Sequence, residues 1–194
     1  RAHLKHLGVS TPIRDLNLRE INEHTADAEL PELLRPLREG RSMGLLSEAG
    51  CPAVADPGAA LVALAHREGF EVRPLIGPSS ILLALMASGA NGQSFAFKGY
   101  LPADAEGRKS SLKKLECRSR QENETQLFIE TPYRNNALLA DALATLSPDT
   151  RLCAACDLTL PTQTVISQNI ARWRAMKALP DLKKRPTLFV LSAD

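Results

Sequence analysis

Short apolar runs alternate with segments of helical periodicity along the first half of the chain. Residues 43–46 and 71–75 are compact apolar-rich runs and predict strands, whereas residues 59–69 and 80–88 predict helices, each closed by a glycine. Leucines at helical intervals predict a further helix within residues 27–37. The order strand, helix, strand, helix implies a parallel sheet with right-handed crossovers, so this half is expected to be α/β.

The second half places its strands closer together. Strands are predicted at residues 95–102, 127–129, 152–156, 164–167 and 187–191, and helices at residues 107–115, 135–146 and 170–176. Close spacing of strands near the C-terminus predicts a mixed sheet. A strand that runs into a loop near residue 99 marks the expected boundary between two domains, residues 1–99 and residues 100–194. Met86, on an apolar predicted helix, is expected to lie in the core.

Composition is ordinary for a soluble globular protein. The 194 residues carry 44% hydrophobic and 24% charged side chains, with a formal net charge of +2. Aromatic residues make up only 4%, which disfavours a single-strand nucleic-acid platform built on base stacking. No apolar run approaches the roughly 20 residues of a membrane span, and the first residues form no apolar signal core. A cytoplasmic location is therefore expected.

Four cysteines raise the question of redox or metal chemistry: Cys51, Cys117, Cys153 and Cys156. The last two have the Cys-x-x-Cys spacing of a redox site or of half a zinc site, but the sequence offers no second ligand pair. Their segment resembles a strand, whereas a thioredoxin-like site needs its first cysteine at a helix N-terminus. Both are expected to be small buried residues, and no metal site is expected.

Two loops rich in small residues, 47–58 and 76–80, follow the two strands predicted in the first half. Backbone N–H groups in such loops can approach a ligand closely, because no large side chain stands in the way. In open α/β sheets, ligands bind outside the carboxyl ends of the strands, where these loops are expected to lie. The sequence therefore predicts an enzyme or binding protein built around a small-molecule pocket.

Five motifs, in order along nearly the whole chain, resemble those of the tetrapyrrole methylase superfamily, whose members use S-adenosylmethionine (SAM). They are Ser-Glu-Ala-Gly-Cys-Pro-Ala-Val-Ala-Asp-Pro-Gly at 47–58, Ile-Gly-Pro-Ser-Ser at 76–80, Leu-Ala-Leu-Met-Ala-Ser-Gly at 83–89, Phe-Lys-Gly-Tyr-Leu-Pro at 97–102 and Phe-Ile-Glu-Thr-Pro-Tyr-Arg at 128–134. The resemblance is closer to the branch that contains bacterial 16S ribosomal RNA cytidine 2′-O-methyltransferases.

The chain departs from this family pattern at several positions. Residues 1–9 resemble a helix that follows the family's leading strand and its Pro-Ile-Gly-Asn-Leu loop, so the first domain is expected to be N-terminally incomplete. Glu48 replaces the usual Asp and Cys51 the usual Thr, and residues 157–160 lack the basic residue of the ribosomal enzymes' Arg-Glu-Leu-Thr-Lys motif. These changes suggest a paralogue whose substrate can differ.

The resemblance implies two α/β domains with SAM folded in a cleft between them, usually within a homodimer. Carried over by motif, the residues expected to bind SAM are Ala49, Gly50, Cys51, Val54, Ser79, Ser80, Glu130, Leu160, Pro186 and Thr187. Those of the first loop would contact the methionine part, and the last four would flank the adenosine. Taken singly, Gly50 also fits a simple turn and Ser79 also fits a helix cap.

Glu130 is the candidate for a general base, because removing a proton from a ribose hydroxyl assists methyl transfer. The same carboxylate also fits an ion pair with Arg134, four residues further on. The ion pair is the favoured alternative, so no catalytic residue is assigned.

Two basic clusters are candidates for binding RNA phosphates. The larger contains acidic residues as well, so a solvated helix face explains it equally well; its cations are Lys98, Arg108, Lys109, Lys113, Lys114, Arg118 and Arg120. The smaller comprises Lys183, Lys184 and Arg185, beside Pro186.

The leading functional hypothesis is a SAM-dependent methyltransferase that acts on RNA. A methyltransferase for a tetrapyrrole or another small acceptor, and a SAM-binding protein without catalysis, are the alternatives. An unrelated α/β nucleotide-binding protein is disfavoured, because the chain lacks both Gly-x-x-x-x-Gly-Lys-Ser/Thr and Gly-x-Gly-x-x-Gly.

Overall fold

The computed structural model describes Gly8 and residues 11–193, and contacts divide the chain into two compact units, Arg1–Pro78 and Ser79–Asp194. We call them the first unit and the second unit. The division falls before the boundary expected at residue 99, because a helix and a strand that begin before this residue pack into the second unit. The two domains expected at residues 1–99 and 100–194 stay a prediction. The helix suggested by residues 1–9 lies, except for Gly8, outside the described residues.

Short helices and turns form the first unit. Its described helices are two 3-10 turns, Ile13–Asp15 and Asp27–Glu29, and three α-helices, α1 (Leu30–Leu33), α2 (Arg35–Arg38) and α3 (Ala59–Arg67). The single helix predicted within residues 27–37 is therefore split. Pro31 and Pro36 each lie in the first turn of a new helix, because proline lacks the N–H that would continue the preceding one. A small core unites these helices through Leu30, Leu34, Leu61 and Ala65.

The strands predicted at residues 43–46 and 71–75 are not formed, and the first unit has no strand among its described residues. A strand is stable only when a neighbour pairs with its N–H and C=O groups, and no described segment of this unit does so. Apolar side chains in and beside these runs stay exposed, 65% for Leu46 and 91% for Leu75. The parallel sheet expected for the first half is thus wrong for the described residues.

A five-stranded sheet with four helices forms the second unit. The strands are β1 (Phe95–Tyr100), β2 (Thr125–Ile129), β3 (Arg151–Cys156), β4 (Thr164–Asn169) and β5 (Thr187–Ser192), and the helices are α4 (Ser80–Ser88), α5 (Ala105–Glu122), α6 (Asn135–Thr145) and α7 (Ile170–Arg174). The strand order is β1-β2-β5-β3-β4. Only β1 and β2 pair in parallel, while β5 is antiparallel to β2 and β3, and β4 to β3. The mixed α/β sheet predicted for this half is confirmed.

The two faces of the sheet carry separate cores. On one face, Trp173 of α7 and the leucines of α5 and α6 pack around Phe128 and Phe189, whose rings stack with centroids 5.8 Å apart. On the other face, Ala84 and Leu85 of α4 pack against alternate residues of the central strands. Strand side chains that are buried on both faces explain why these strands are apolar throughout. None of the described helices has the length and apolar character needed to cross a bilayer.

The prediction that Met86 lies in the core is wrong. Its side chain is 78% exposed, because α4 turns Ala84, Leu85 and Ser88 towards the sheet instead. The apolar side chains of α4 are distributed around the whole helix, so its sequence does not indicate which face is buried.

The Cys-x-x-Cys segment is structural, as predicted. Both cysteines are fully buried on β3, but Cys153 belongs to one core and Cys156 to the other. Residues three apart on a strand point to opposite faces, so the two thiols cannot form a redox pair or a chelate. Burial also raises the pKa of the Cys153 thiol to about 11, which keeps it protonated.

Thiol reactivity in the native protein is expected to follow this burial. The exposed Cys117 should react readily with Ellman's reagent, whereas Cys153 should react only after unfolding, since its raised pKa alone lowers the thiolate fraction about a hundredfold. Cys117→Ser is the matched control and should remove the Cys117 reaction, leaving the half-buried Cys51 as the thiol that still labels in the folded protein. Rapid labelling of Cys153 or Cys156 in the folded Cys117→Ser protein would contradict this assignment.

Candidate functional site

The first predicted loop, residues 47–58, has an unusual backbone. Gly50, Ala53 and Ala55 have φ values of 75°, 64° and 55°, in the left-handed region that alanine rarely adopts. The Ser47 hydroxyl donates to the Gly50 carbonyl at 3.0 Å and helps hold this turn. A Cβ added at Gly50 would meet no atom within 4 Å, so the glycine serves the backbone conformation and leaves open space beside it.

The two predicted loops meet within the first unit. The Cys51 thiol donates to the carbonyl oxygen of Pro78, 3.5 Å from the sulfur. Cys51 lies in the first loop and Pro78 in the second, so the expectation that neighbouring turns lie together holds for this pair. Val54, also expected at the cofactor, is 49% exposed. One loop thus carries four of the predicted SAM-binding residues, Ala49, Gly50, Cys51 and Val54. Their contact with a ligand stays a prediction.

Ser79 and Ser80 begin the second unit at the start of α4. Ser79 occupies the N-cap position, yet its side chain makes no capping hydrogen bond. The alternative that Ser79 serves only as a cap is therefore not supported by its hydroxyl group. Its backbone carbonyl accepts the first helical bond, from Leu83 N at 3.0 Å.

The remaining predicted residues lie at one edge of the second unit's sheet. Because β5 runs antiparallel to β2 and β3, its first two residues meet the last residues of these strands: Thr187 pairs with Cys156, and Leu188 pairs with Ile129. Glu130 follows β2, and Pro186 precedes β5. We call this edge the carboxyl edge. It brings Glu130, Pro186 and Thr187 together, as the sequence predicted for an adenosine-binding wall, although the binding itself stays a prediction.

Glu130 is held at the carboxyl edge by an ion pair. Its side chain is fully buried, and Oε1 accepts hydrogen bonds from Arg134 Nη2 at 2.7 Å and from Thr131 N at 2.6 Å. Burial by itself would raise the pKa of the Glu130 carboxyl, but the Arg134 and Thr131 hydrogen bonds outweigh it and bring the pKa below its ordinary value. A carboxylate with a lowered pKa is a weak general base, so the geometry favours the ion-pair alternative.

Three adjacent side chains leave buried polar atoms without a partner among the described residues: Glu130 Oε2, Arg134 Nε and Asn135 Oδ1. An unpaired buried polar atom costs about 1–3 kcal/mol, so such atoms are uncommon unless they serve a purpose. The Glu130–Arg134 pair is single-armed, since Oε2 and Nε could form a second arm but do not. A ligand hydroxyl or amine that donates to Oε2 would also remove this cost.

The turn that leads into β5 is fastened to α6. Asn135 Nδ2 donates to the carbonyl oxygen of Arg185 at 2.7 Å and to that of Leu182 at 3.4 Å. The Thr187 hydroxyl donates to the same Arg185 carbonyl at 3.1 Å. Asn135 is a residue that sequence reasoning missed, because an asparagine at the start of a helix usually serves only as a polar end. Its complete burial reveals the role.

Asp157 fastens the opposite side of the carboxyl edge. It directly follows β3, and Oδ2 accepts from Arg185 Nε and from the Thr162 hydroxyl, each at 2.8 Å. Its backbone N–H donates to the Pro186 carbonyl at 2.9 Å. The loop that carries Leu160 is closed by these bonds, and the Leu160 side chain is 53% exposed beside them. The sequence analysis did not predict the pairing of Asp157 with Arg185.

Replacing Asp157 by asparagine is expected to flatten the dependence of stability on pH. The Arg185 and Thr162 hydrogen bonds bring the pKa of Asp157 below its ordinary value of 3.8, so its stabilising contribution is complete above that value and is lost as pH falls through the lower, folded value. Urea unfolding between pH 7 and about pH 3 should show a larger loss for the parent protein than for Asp157→Asn. Equal losses would show that the pair adds nothing.

An open apolar groove of about 320 Å³ lies beside this loop in the second unit. It runs between α4 and the loop after β3, and its lining comprises Leu83, Met86, Ala87, Leu158, Thr159 and Gln163. Among the described residues, no three His, Cys, Asp or Glu side chains are arranged to hold a metal ion.

Comparisons with known proteins point in one direction. The family described as Tetrapyrrole (Corrin/Porphyrin) Methylases matches residues 4–172. A Vibrio cholerae protein named ribosomal RNA small subunit methyltransferase I is 32% identical over 188 residues, which cover 97% of this chain and 62% of that protein. The protein of the same name from Pseudomonas aeruginosa is 32% identical over 189 residues, which cover 97% of this chain and 64% of that protein. The chain therefore spans only part of the length of either relative.

Among solved structures, the methyltransferase CobJ has a similar fold. It superposes with a TM-score of 0.60 at 21% sequence identity and covers 94% of this chain and 77% of its own. A conserved hypothetical protein from Aeropyrum pernix K1 superposes with a TM-score of 0.53 at 17% identity, covering 85% of this chain and 63% of its own.

Proposed function

Because this chain belongs to the tetrapyrrole methylase family, we propose that it forms part of a SAM-dependent methyltransferase whose acceptor is RNA, with ribosomal RNA 2′-O-methylation as the reaction. The observation that carries the proposal is the 32% identity to a ribosomal RNA small subunit methyltransferase I over 97% of this chain. The name of that relative supports RNA as the acceptor in preference to a tetrapyrrole. A cytoplasmic homodimer belongs to the same proposal.

Each unit, taken by itself, offers groups of the kind that one part of SAM needs. The amino-acid end needs backbone donors for its carboxylate, and the loop around Gly50 offers small residues with open space beside them. The adenosine end needs apolar walls and a few polar partners, and the carboxyl edge offers Glu130, whose Oε2 has no donor among the described residues, next to Pro186 and Thr187. SAM, when bound, supplies an electrophilic methyl group on its sulfonium.

The protein's contribution in this proposal is alignment. Methyl transfer requires the acceptor oxygen, the methyl carbon and the sulfur in line, and holding reactants in such a geometry lowers the barrier substantially. In this proposal Glu130 binds and orients SAM. It does not act as the general base, because its lowered pKa makes it a poor acceptor for the hydroxyl proton. We assign no general base to the chain.

The test is methyl transfer from radiolabelled SAM with three acceptors offered separately: 30S ribosomal subunits, naked 16S ribosomal RNA and uroporphyrinogen. The proposal expects label in RNA, in subunits or naked RNA, and none in uroporphyrinogen. Label in uroporphyrinogen alone would favour the small-acceptor alternative. Calorimetric SAM binding without transfer to any acceptor would favour a non-catalytic binding protein, and absence of SAM binding would overturn the proposal altogether.

A further inference from the structure

The turn before β5, residues 181–185, carries two exposed lysines next to the carboxyl edge. Among the described residues, neither Lys183 nor Lys184 forms an ion pair. The neighbouring Asp181 accepts two hydrogen bonds at Oδ1, from Asn136 Nδ2 at 2.8 Å and from Lys183 N at 3.0 Å. The Asn136 hydrogen bond lowers the pKa of Asp181 and the Lys183 charge helps to lower it, but the Asp181 and Lys183 side chains form no ion pair. Both ammonium groups are therefore available to an anion from solution.

The backbone of this turn is fixed from three sides. Lys184 N donates to the Pro132 carbonyl at 2.9 Å, and Leu182 N donates to Asn136 Oδ1 at 2.8 Å. Arg185 is held by Asp157 and also donates from Nη2 to the Thr162 carbonyl at 2.7 Å. Lys184 itself has φ 61°, a left-handed conformation that costs a non-glycine residue free energy. These bonds fix the backbone from which the two lysine side chains extend.

The larger basic cluster is different, because most of its cations are already neutralised. Arg108 is buried against Asp141, and Arg118 lies 2.7 Å from Glu124. Its further pairs are Lys98 with Glu124, Lys109 with Asp141 and Arg120 with Asp149. The exposed Lys113 and Lys114 on α5 are the exceptions, in that no ion pair involves them among the described residues.

We propose that the 181–185 turn binds the phosphate backbone of the RNA acceptor through Lys183 and Lys184. The turn runs directly into Pro186 and Thr187, so an RNA strand anchored there passes close to the residues proposed to hold the methyl donor. Lysine suits this role, since a flexible stem with a compact charge binds phosphate without demanding one geometry. The inference rests on the proposed function, because it assumes an RNA acceptor at this edge.

The experiment compares two double variants with equal loss of charge, Lys183→Gln/Lys184→Gln and the control Lys113→Gln/Lys114→Gln. Binding of a fluorescein-labelled single-stranded RNA is followed by anisotropy over a range of salt concentrations. Loss of two phosphate contacts should reduce the slope of log K against log salt by about 1.4 and the affinity roughly twentyfold at about 0.1 M salt. The control pair should change the slope little.

SAM affinity, measured by calorimetry, reports on the fold of each variant and should match the parent. An unchanged RNA affinity and salt slope in the Lys183/Lys184 variant would overturn the inference, and so would equal losses in both variants. If the parent protein methylates RNA while the Lys183/Lys184 variant binds it equally well, this inference fails and the proposed function stands. If the parent neither binds nor methylates RNA, the proposed function fails first.

Discussion

Replacing Glu130 by glutamine is expected to weaken SAM binding about tenfold or more. The carboxylate has one oxygen engaged by Arg134 and Thr131 and a second, Oε2, that no described donor uses. A hydrogen bond to a charged acceptor contributes about 1.5–3 kcal/mol, and each 1.4 kcal/mol corresponds to a factor of ten in affinity. Glutamine keeps the shape of the side chain but offers a neutral amide in its place. Calorimetric titration with SAM measures the effect.

Arg134→Gln is the matched control, because it breaks the same ion pair from the other side. If Glu130 contacts the cofactor, Glu130→Gln should reduce SAM affinity far more than Arg134→Gln does. If Glu130 is only the structural partner of Arg134, both variants should lose similar free energies of unfolding and bind SAM equally well. That outcome would remove Glu130 from the site while leaving the ion pair intact as a structural feature.

Replacing Trp173 by alanine is expected to destabilise the second unit by about 3–5 kcal/mol, the largest effect on folding that we foresee. The indole is fully buried among the helices on one face of the sheet, and its Nε1 donates to the Leu152 carbonyl at 2.8 Å. Alanine would leave a cavity inside the core and remove the hydrogen bond to Leu152. Unfolding should be followed by circular dichroism, because Trp173 is the single tryptophan and its fluorescence is lost.

Two further variants separate the causes of this loss. Trp173→Phe keeps most of the ring volume and removes the donor, so it should cost clearly less than alanine does. Met86→Ala changes an exposed side chain of α4 and should shift the free energy of unfolding by less than about 0.5 kcal/mol. A large cost for Met86→Ala would show that this side chain is covered in the folded protein, and a small cost for Trp173→Ala would contradict the described core.

The second unit was predictable because its local patterns agree with its tertiary structure. The apolar runs at residues 127–129, 152–156 and 187–191 lie within β2, β3 and β5, the three central strands, where burial on both faces favours apolar residues throughout. The helix predicted at 107–115 is longer in the structure, where it extends over Ala105–Glu122. The prediction ended too early because the charged second half of this helix shows little apolar periodicity.

The first unit was less predictable because a run with the composition of a strand forms one only when a neighbouring strand pairs with it. The runs at 43–46 and 71–75 have the composition of strands, yet hydrogen-bonded neighbours decide whether a strand forms. The prediction that Met86 is buried failed for a related reason, since the sequence of an apolar helix does not indicate which face is buried.

Individual site residues were recognisable only in part. Glu130 and Pro186 were singled out by the resemblance to the family, and the structure places both at the carboxyl edge, where contact with SAM stays a prediction. Asn135 could not be found in this way, because its role depends on the carbonyl groups of Arg185 and Leu182, which lie far away in sequence. Long-range hydrogen bonds to main-chain atoms leave no periodic trace in the amino-acid order.

The direction of β5 gives the fold room for evolutionary change. Since this strand enters the sheet at the carboxyl edge, the segment that approaches the edge is a surface connection, and connections tolerate insertions and substitutions better than strands do. Descendants of such a scaffold can alter the length of the exposed segment 177–179 and the charge of Lys183 and Lys184, while the buried Leu182 and all five strands keep their places. Acceptor preference can then diversify without any redesign of the strands that carry the proposed cofactor site.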